Sequence, residues 1–450
     1  MLTLDRSHLE TLLVEEEKKF LSDHPKSHAL YQRARKSLHG GVPMLWMLRW
    51  AGRFPIFVKE GCGAHFTDVD GHQYIDFCLG DTGAMTGHAP PATVKAIAEQ
   101  AGKGITYMLP IEDAIWVGEE LQRRFGLPYW QFALTATDAN RFAIRMARHI
   151  TGRRYILVYN CCYHGSVDES LAALENGVVG PRHGNLGPPV NPAETTRVVE
   201  FNDIPALEKA LEACDVACVL AEPAMTNIGI ILPEPGYHDA LRELTRRTDT
   251  LLIIDETHTI CAGPGGYTAA FGLRPDMLTL GKPLASGVPA AIYGFTQEVA
   301  DRFWAMLKLD EADIGGVGGT LAGNALSIAA MRATLEHVFT PLAFEKAIHQ
   351  ADRYEEGVLV VIREFNLPWI VKRIGNRVEY WFRATPPRNG SEAFAAIDIE
   401  LDRYMHLYAL NRGILMTPFH NMALIAADTT SEDVDHHTRV FRQAVGSLFG

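Results

Sequence analysis

Little in this sequence would tie it to a membrane, a nucleic acid or a metal. No uninterrupted apolar run reaches the ~20 residues that a bilayer span requires. The opening stretch, MLTLDRSHLETLLVEEEKKF, lacks the basic patch and apolar core of a secretory leader, so none is expected. A long basic run is missing too. Lys and Arg number 42 against 54 Asp and Glu, giving a formal charge of −12 and a pI near 5.8. That balance favours solubility and argues against nucleic acid or an anionic membrane as a partner. The seven cysteines are odd in number and unpatterned, with one adjacent pair, Cys161-Cys162. They outline neither a disulfide nor a metal framework, which fits a reducing cytoplasm. Eighteen histidines show no metal-binding spacing, so no metal is expected, and His436-His437, in a polar late helical stretch, reads as surface. Internal repeats and low-complexity segments are also missing.

The chain does have material for a large core. Of its 450 residues 47% are hydrophobic and 21% charged, enough for more than one domain. The centre of interest is Thr250 to Pro289. An apolar run, Leu251 to Ile254, has the composition of a buried parallel strand and ends at Asp255-Glu256. A Gly/Pro-rich loop, Cys261 to Tyr267, follows. A second apolar run, Met277 to Leu280, then delivers Gly281-Lys282. The interval holds a loop, a short crossover and a second strand. One carboxylate and one lysine therefore reach the C-terminal ends of two strands, where open α/β sheets bind ligands. Such a pair suits pyridoxal phosphate: the lysine forms a Schiff base with the aldehyde, and the carboxylate keeps the pyridine nitrogen protonated. Two solvated strand ends would read the same way, so the rest of the chain has to decide.

Upstream, Leu9 to Leu38 is a charged amphipathic helical stretch. Gly40 to Pro43 leads into Met44 to Trp50 (MLWMLRW), an apolar cluster with Trp46, Met47 and Arg49 that suits either a pocket wall or a core staple. Pro55 to Phe77 reads as a hairpin turning at Asp68 to Gly71. Phe132 to Arg148 passes from an apolar run through Thr135-Ala136-Thr137 into a helix. Small residues and hydroxyls at a helix N-terminus favour phosphate, although a plain N-cap looks the same. The strand Tyr155 to Tyr159 ends in a loop holding Tyr163-His164-Gly165, where an aromatic could stack on a planar cofactor. Strands at Arg197 to Phe201, Ala217 to Leu220 and Leu251 to Ile254 alternate with helices at Pro205 to Cys214 and Tyr237 to Arg247. This is βαβ rhythm and predicts a mostly parallel sheet. Asn324 to Phe339 reads as one long helix. Beyond residue 326, strands in Leu367 to Phe382 and helices at Ile399 to Asn411 and Ser431 to Leu448 suggest a smaller α+β domain.

With these motifs in order, the chain resembles the class III (ω-type) aminotransferases of fold type I, and within them the glutamate-1-semialdehyde aminomutase-like branch. The likeness runs from about Gly40 to the end. It implies an α/β fold: a large pyridoxal-phosphate-binding domain over 61–325 with a mostly parallel, seven-stranded-type sheet, and a smaller α+β domain over 326–450. Residues 1–60 would form an N-terminal helical segment contributing to the small domain and to dimer contacts. Asp255 resembles the aspartate that pairs with the pyridine nitrogen, and Lys282 the Schiff-base lysine. Thr135-Ala136-Thr137 takes the place of a Ser-Gly-Thr phosphate loop, and Tyr163 that of the ring-stacking aromatic, with His164 beside it. Glu222 and Asn227, in EPAMTN, match a strand-end acid and an asparagine near the cofactor hydroxyl. Gly319-Thr320 matches a Gly-Thr that reaches the partner subunit's cofactor, which implies a homodimer with shared active sites.

The departures bear on substrate. Thr257 stands where the family usually has valine. Met47 falls where the aminomutases carry a substrate-binding arginine, and Arg49 lies two residues later. Met422 takes the place of a glutamate, and Thr417 that of a mobile arginine. Trp46, Met47 and Met422 would make the pocket apolar, and an unpartnered carboxylate there would cost several kcal/mol. The expectation is therefore a transaminase passing an amino group from a hydrophobic primary amine, or an ω- or β-amino compound, to a keto acid or aldehyde, with a keto acid held by Arg49. An aminomutase or amino-acid racemase is the alternative within the family. A non-catalytic protein on the same fold would normally lack the lysine or the aspartate, and both are present.

Overall fold

A computed structural model describes residues 4–307, 314–418 and 420–449; the outermost residues of the ranges 1–60 and 326–450 lie outside them. The chain forms two compact units. One comprises Met1–Pro90, Leu342–Pro386 and Ala396–Gly450, the other Pro91–Pro341 and Pro387–Ala395.

The second unit is built on a seven-stranded sheet. Across it the strands run Tyr129–Ala133, Ala291–Phe295, Met277–Leu280, Leu251–Asp255, Val216–Ala221, Tyr155–Tyr159 and Thr196–Val199. Only Ala291–Phe295 pairs antiparallel to its neighbours. The sheet needs helices on both faces, and its strands show it. Every residue of Val216–Ala221, Leu251–Asp255 and Met277–Leu280 is buried, which is why these segments read as unbroken apolar runs. Leu251–Asp255 lies at the centre, with Ile253 opposite Leu220 on one side and Met277 on the other. Its parallel neighbour ends level with it, Asp255 facing Thr279. Both strands therefore deliver their next residues to one edge of the sheet.

The first unit has a four-stranded sheet, ordered Val58–Cys62, His65–Asp68, Gln73–Asp76 and Ile414–Leu415, and a three-stranded one of Ile370–Ile374, Arg377–Trp381 and Met422–Leu424. Its core gathers residues from both ends of the chain, among them Leu9, Phe77, Tyr354, Val378, Tyr404 and Phe441.

These boundaries differ from the expected 61–325 and 326–450. Residues 61–90 fall in the first unit because strand Gln73–Asp76 pairs with Ile414–Leu415 near the C-terminus. Residues 326–341 fall in the second, where helix Ala325–Ala333 is almost wholly buried. The expected helix Asn324 to Phe339 changes pitch, its α-turns giving way to a π-helical stretch at Thr334–Val338. The N-terminal helix is likewise two, Arg6–Asp23 and Pro25–Ala34, since Pro25 has no N–H to continue the first and sits at the opening position of the second. His437, read as surface, is buried and bonds the Tyr354 hydroxyl through Nε2 at 2.9 Å. No described helix is long and apolar enough to cross a membrane.

The central strand sets a stability expectation. Ile253→Ala, at 0% exposure, removes contacts that nothing can refill, and should lower the unfolding free energy by about 2–5 kcal/mol in chemical denaturation. Leu186→Ala, at 86% exposure, should stay within about 0.5 kcal/mol of the parent.

Candidate active site

At the C-terminal edge of the second unit's sheet sits a buried carboxylate with a full set of donors. Asp255 Oδ2 accepts from Asn140 Nδ2 at 2.9 Å and from His164 Nδ1 at 2.9 Å. Its Oδ1 accepts the Thr257 N–H at 3.0 Å. Asn140 is itself fixed: its amide donates to the His164 carbonyl at 3.0 Å, and its oxygen accepts the Thr279 hydroxyl at 2.6 Å. Helix Ala136–Thr151 and the loop after Tyr155–Tyr159 thus converge on one carboxylate, and the neighbouring strand braces Asn140.

The electrostatics follow from this. Burial pushes the Asp255 carboxyl upward, but His164, Thr257 and Asn140 pull harder and hold it down at about 2. Burial also works against charge on His164, yet Cys162 and Asp255 carry its imidazole well above the ordinary histidine range. The two shifts agree in sense, and the pair is a buried carboxylate–imidazolium contact. A carboxylate oxygen has two lone pairs, and Oδ1 spends only one on Thr257. Among the described residues the site therefore presents a charged acceptor with capacity to spare, and beside it the Thr257 hydroxyl is buried with no hydrogen-bond partner. An N–H cation set against Oδ1, as a protonated pyridine would be, matches this edge in both charge and hydrogen bonding.

Lys282 follows the adjacent strand. Its backbone lies in the left-handed region at φ 48°, a conformation costing about 1 kcal/mol for a side chain with a Cβ. Its Nζ lies 2.8 Å from His258 Nε2. Gly281 before it has to be glycine: a Cβ there would sit 2.9 Å from the Ala136 backbone nitrogen. That close approach seats the lysine loop on the N-terminus of helix Ala136–Thr151.

At the same helix end, Thr135 is the N-cap, accepting from Asp138 N at 3.2 Å, so the plain capping role is real. Thr137 Oγ1 accepts the Ser166 N–H at 3.0 Å. A Cβ on Gly165 would lie 2.1 Å from that hydroxyl, so the Tyr163-His164-Gly165 loop needs glycine to close on the helix. The first-turn amides of Ala136 and Thr137 lie beside Gly281 at the helix end, a place whose dipole favours an anion. Phosphate here, pyridine nitrogen at Asp255 and aldehyde at Lys282 describe pyridoxal phosphate, and the residues present fit it.

Two further expected residues brace loops: Glu222 its own, and Asn227 that of Cys161. Glu222 is buried and accepts the Thr226 N–H and hydroxyl; burial raises its carboxyl, while His164 opposes that. Asn227 donates to the Cys161 carbonyl at 3.1 Å. Tyr163 is half-buried on the same loop as His164. Gly319 and Thr320 are exposed, just past the short turn Ile314–Val317.

The expected substrate-pocket residues belong to the first unit. Trp46 and Met47 stand on an exposed helical turn, Leu45–Leu48, at 39% and 38% exposure, with exposed Arg49 capping it. Met422 is a correction. It lies on strand Met422–Leu424 opposite Glu379, at 0% exposure, so it is a core residue and lines no open pocket. Three participants went unread in the sequence. Asn140 left a signal, a polar side chain among Ala139, Ala143 and Met146 on a buried helix face. Glu256, which ties Thr259, Tyr267 and Thr268 into the Gly/Pro loop, and His258 left none.

Three kinds of known protein resemble the chain. The aminotransferase class-III family profile matches residues 46–430. A glutamate-1-semialdehyde 2,1-aminomutase of Myxococcus xanthus is 30% identical over 439 residues, covering 95% of this chain and 99% of the relative. A solved glutamate-1-semialdehyde-aminomutase of Pseudomonas aeruginosa PAO1 superposes with a TM-score of 0.97 at 52% identity, covering 99% of each chain. A lysine-to-alanine variant of it was solved in complex with PMP. An omega-transaminase of Sphaerobacter thermophilus follows at a TM-score of 0.85 and 26% identity, covering 94% of this chain and 98% of that one.

The pair Asp255–His164 sets a pH expectation. The depressed carboxyl contributes stability above its ordinary ~4 and loses it as pH falls through about 2. The raised imidazole contributes fully below its ordinary ~6.5 and fades as pH climbs through its folded value. His164→Gln removes the carboxylate's charged partner, so the Asp255 carboxyl should rise. That variant should release cofactor in mildly acidic buffer where the parent retains it, and match the parent at neutral pH, read by cofactor absorbance after dialysis.

Proposed function

The chain belongs to the class-III aminotransferase family, and we propose that within it this enzyme moves an amino group between adjacent carbons of a small amino aldehyde, as a glutamate-1-semialdehyde 2,1-aminomutase does. The observation that carries amino-group chemistry is the buried, charged Asp255 one strand away from Lys282 at the same sheet edge. The aminomutase names of its relatives, at 30% and 52% identity over nearly the full length, support this choice of reaction.

Pyridoxal phosphate, the family's cofactor, supplies when bound a ring that accepts electrons from a carbon next to nitrogen. The protein's own residues do the rest. Asp255 would hold the pyridine nitrogen protonated, and His164 and Asn140 keep Asp255 charged and aimed. The amides of Ala136 and Thr137 would hold the phosphate at a positive helix end. Tyr163 and Thr257 are the residues that would flank the ring. Lys282 would anchor the cofactor's aldehyde, and its amine, once free, would lift a proton from one carbon and return it to another. In an aminomutase the nitrogen leaves one carbon and rejoins its neighbour, so an amino aldehyde becomes an amino ketone with the same atoms.

The hydrophobic-amine transaminase is the second reading. It drew on an apolar pocket, but Met422 is core and Trp46 and Met47 stand exposed. One observation still favours it: Met47 occupies the place of the aminomutases' substrate-binding arginine, leaving Arg49 as the nearest guanidinium along the chain. We further propose a homodimer in which exposed Gly319 and Thr320 complete the other subunit's phosphate site.

A substrate panel separates the two. Glutamate-1-semialdehyde alone should give the isomeric amino ketone with no keto acid added. Turnover of arylalkyl amines only when pyruvate is supplied would instead establish the transaminase. Lys282→Ala should lower either rate by at least about 10²–10⁴-fold, the worth of a positioned proton carrier.

A further inference from the structure

The first unit holds a cluster of metal-ligating side chains to which the chemistry proposed above gives no task. His24 stands between helices Arg6–Asp23 and Pro25–Ala34. The proline after it disfavours the helical conformation, and buried His24 adopts φ −120° and ψ 49° instead. Asp68 ends strand His65–Asp68, and His72 leads into its antiparallel partner, Gln73–Asp76. The turn between them is tied by Asp68 Oδ1, which accepts the Gly71 N–H at 2.7 Å and the His72 N–H at 2.8 Å. That leaves Oδ2 beside the two histidines, 3.0 Å from His72 Nδ1 and 3.7 Å from His24 Nε2. The three atoms all lie within 4.8 Å of one another. We propose that His24, Asp68 and His72 bind one divalent transition-metal ion of the zinc class, which clasps the N-terminal helices to the hairpin.

Three features support this. The first is spacing. Zinc holds imidazole nitrogens and carboxylate oxygens at about 2.0–2.2 Å, so two ligands in a tetrahedral shell stand about 3.3–3.6 Å apart. The observed 3.0 and 3.7 Å bracket that separation. His24 and Asp68 are buried, while the His72 side chain, 41% exposed, has room to adjust. The second is the tautomer of His24. Its Nδ1 lies 2.8 Å from the Phe20 carbonyl oxygen, which only accepts, so Nδ1 carries a proton and the neutral ring presents Nε2 as a lone pair. Ligating histidines are oriented in this way, and this ring is also stacked on Phe20 at 4.4 Å. The third is a count of protons. The Tyr74 hydroxyl lies 2.8 Å from His24 Nε2 and 3.1 Å from Asp68 Oδ2. It has one proton to give, and a neutral Nε2 and Oδ2 both accept. A cation on Nε2 lets the hydroxyl serve the carboxylate, so both acceptors are satisfied. A proton there would meet the same count, and the experiment below tells the two apart. Asp23 and Asp70 add negative charge near His24, although Lys19 pairs with Asp23 and the N–H groups of Lys26 and Ser27 bond to Asp70.

Two imidazoles and one carboxylate suit zinc and its neighbours in the transition series. Magnesium and calcium prefer shells of oxygen, so the set fits them poorly. Neutral histidines need lose no proton when the ion enters: His24 already offers Nε2, and His72 moves its proton from Nδ1 to Nε2. Three protein ligands leave a fourth position to water. No spacing along the sequence announces the set, because His24 meets the hairpin turn only when the helix end packs on it. Asp70 of the same turn already accepts the Lys26 and Ser27 N–H groups at 2.7 and 2.9 Å, so the ion would reinforce a junction that hydrogen bonds have formed.

The test titrates full-length holoenzyme, first stripped with a chelator and dialysed free of it, with Zn²⁺, followed by calorimetry and by thermal unfolding. The parent should bind one tight equivalent, and its Tm should climb with free Zn²⁺, as a ligand of the folded state requires. His72→Ala removes a partly exposed ligand. Asp68→Asn keeps Oδ1 for the turn and loses the anionic Oδ2. Each should weaken the tight equivalent at least about 100-fold and flatten the rise in Tm. His337→Ala, at an exposed histidine of the second unit, should bind as the parent does. Mg²⁺ in place of Zn²⁺ should leave the Tm where it was. Parental affinity in either ligand variant would mean an adventitious ion only, bound elsewhere, and would overturn the proposal. So would a parent with no tight equivalent, which would leave the cluster a hydrogen-bonded brace, and so would a response to Mg²⁺ equal to that for Zn²⁺. None of these readouts depends on which amino-group reaction the enzyme performs.

Discussion

The site depends on keeping one carboxylate charged where water cannot reach it. An isolated carboxylate at that depth would take up a proton, and a neutral Asp255 could not hold a pyridine nitrogen in its cationic form. The protein prevents this by surrounding Asp255 with an imidazolium, an amide and the backbone N–H of the following turn. Asn140 and Thr279 then fix those donors, so the charge is paired and its direction set. Removing one partner leaves a buried charge exposed to the full desolvation penalty, which is why the arrangement works as a unit.

Around that charge the chain accepts local strain for close approach. Gly281 and Gly165 stand where a single added carbon would collide with Ala136 and Thr137. Lys282 itself adopts a backbone conformation that most residues avoid. These three positions bring the lysine loop, the aromatic loop and a helix N-terminus to one place, so a phosphate, a ring nitrogen and an aldehyde carbon can be gripped together. A looser sheet edge would offer the same side chains without the same spacing.

The substrate side is less committed. The apolar reading of the pocket rested on residue types at positions carried over from relatives, and Met422 shows the weakness of that step. An apolar side chain suits a binding site and a core equally, and strand pairing with Arg377–Trp381 put this one in the core. The turn at Leu45–Leu48 is exposed in the chain by itself, and an exposed apolar turn of this kind is the sort of surface a second subunit or a substrate covers.

By itself the sequence determined the strands, because unbroken apolar runs bounded by Gly, Pro and acids can hardly be anything but buried parallel strands. It also determined Asp255 and Lys282 as the ends of two such runs, and the helix opening at Thr135. It marked Asn140 faintly, as a polar residue on an apolar face. Only the tertiary structure decided that the first ninety residues pack with the C-terminus, since the pairing of Gln73–Asp76 with Ile414–Leu415 joins positions hundreds of residues apart and leaves no local trace. The same holds for the partners of the chemistry. His164 and His258 became the neighbours of Asp255 and Lys282 through hydrogen bonds between loops, and hydrogen bonds between loops follow from where the backbone turns, not from any spacing along it.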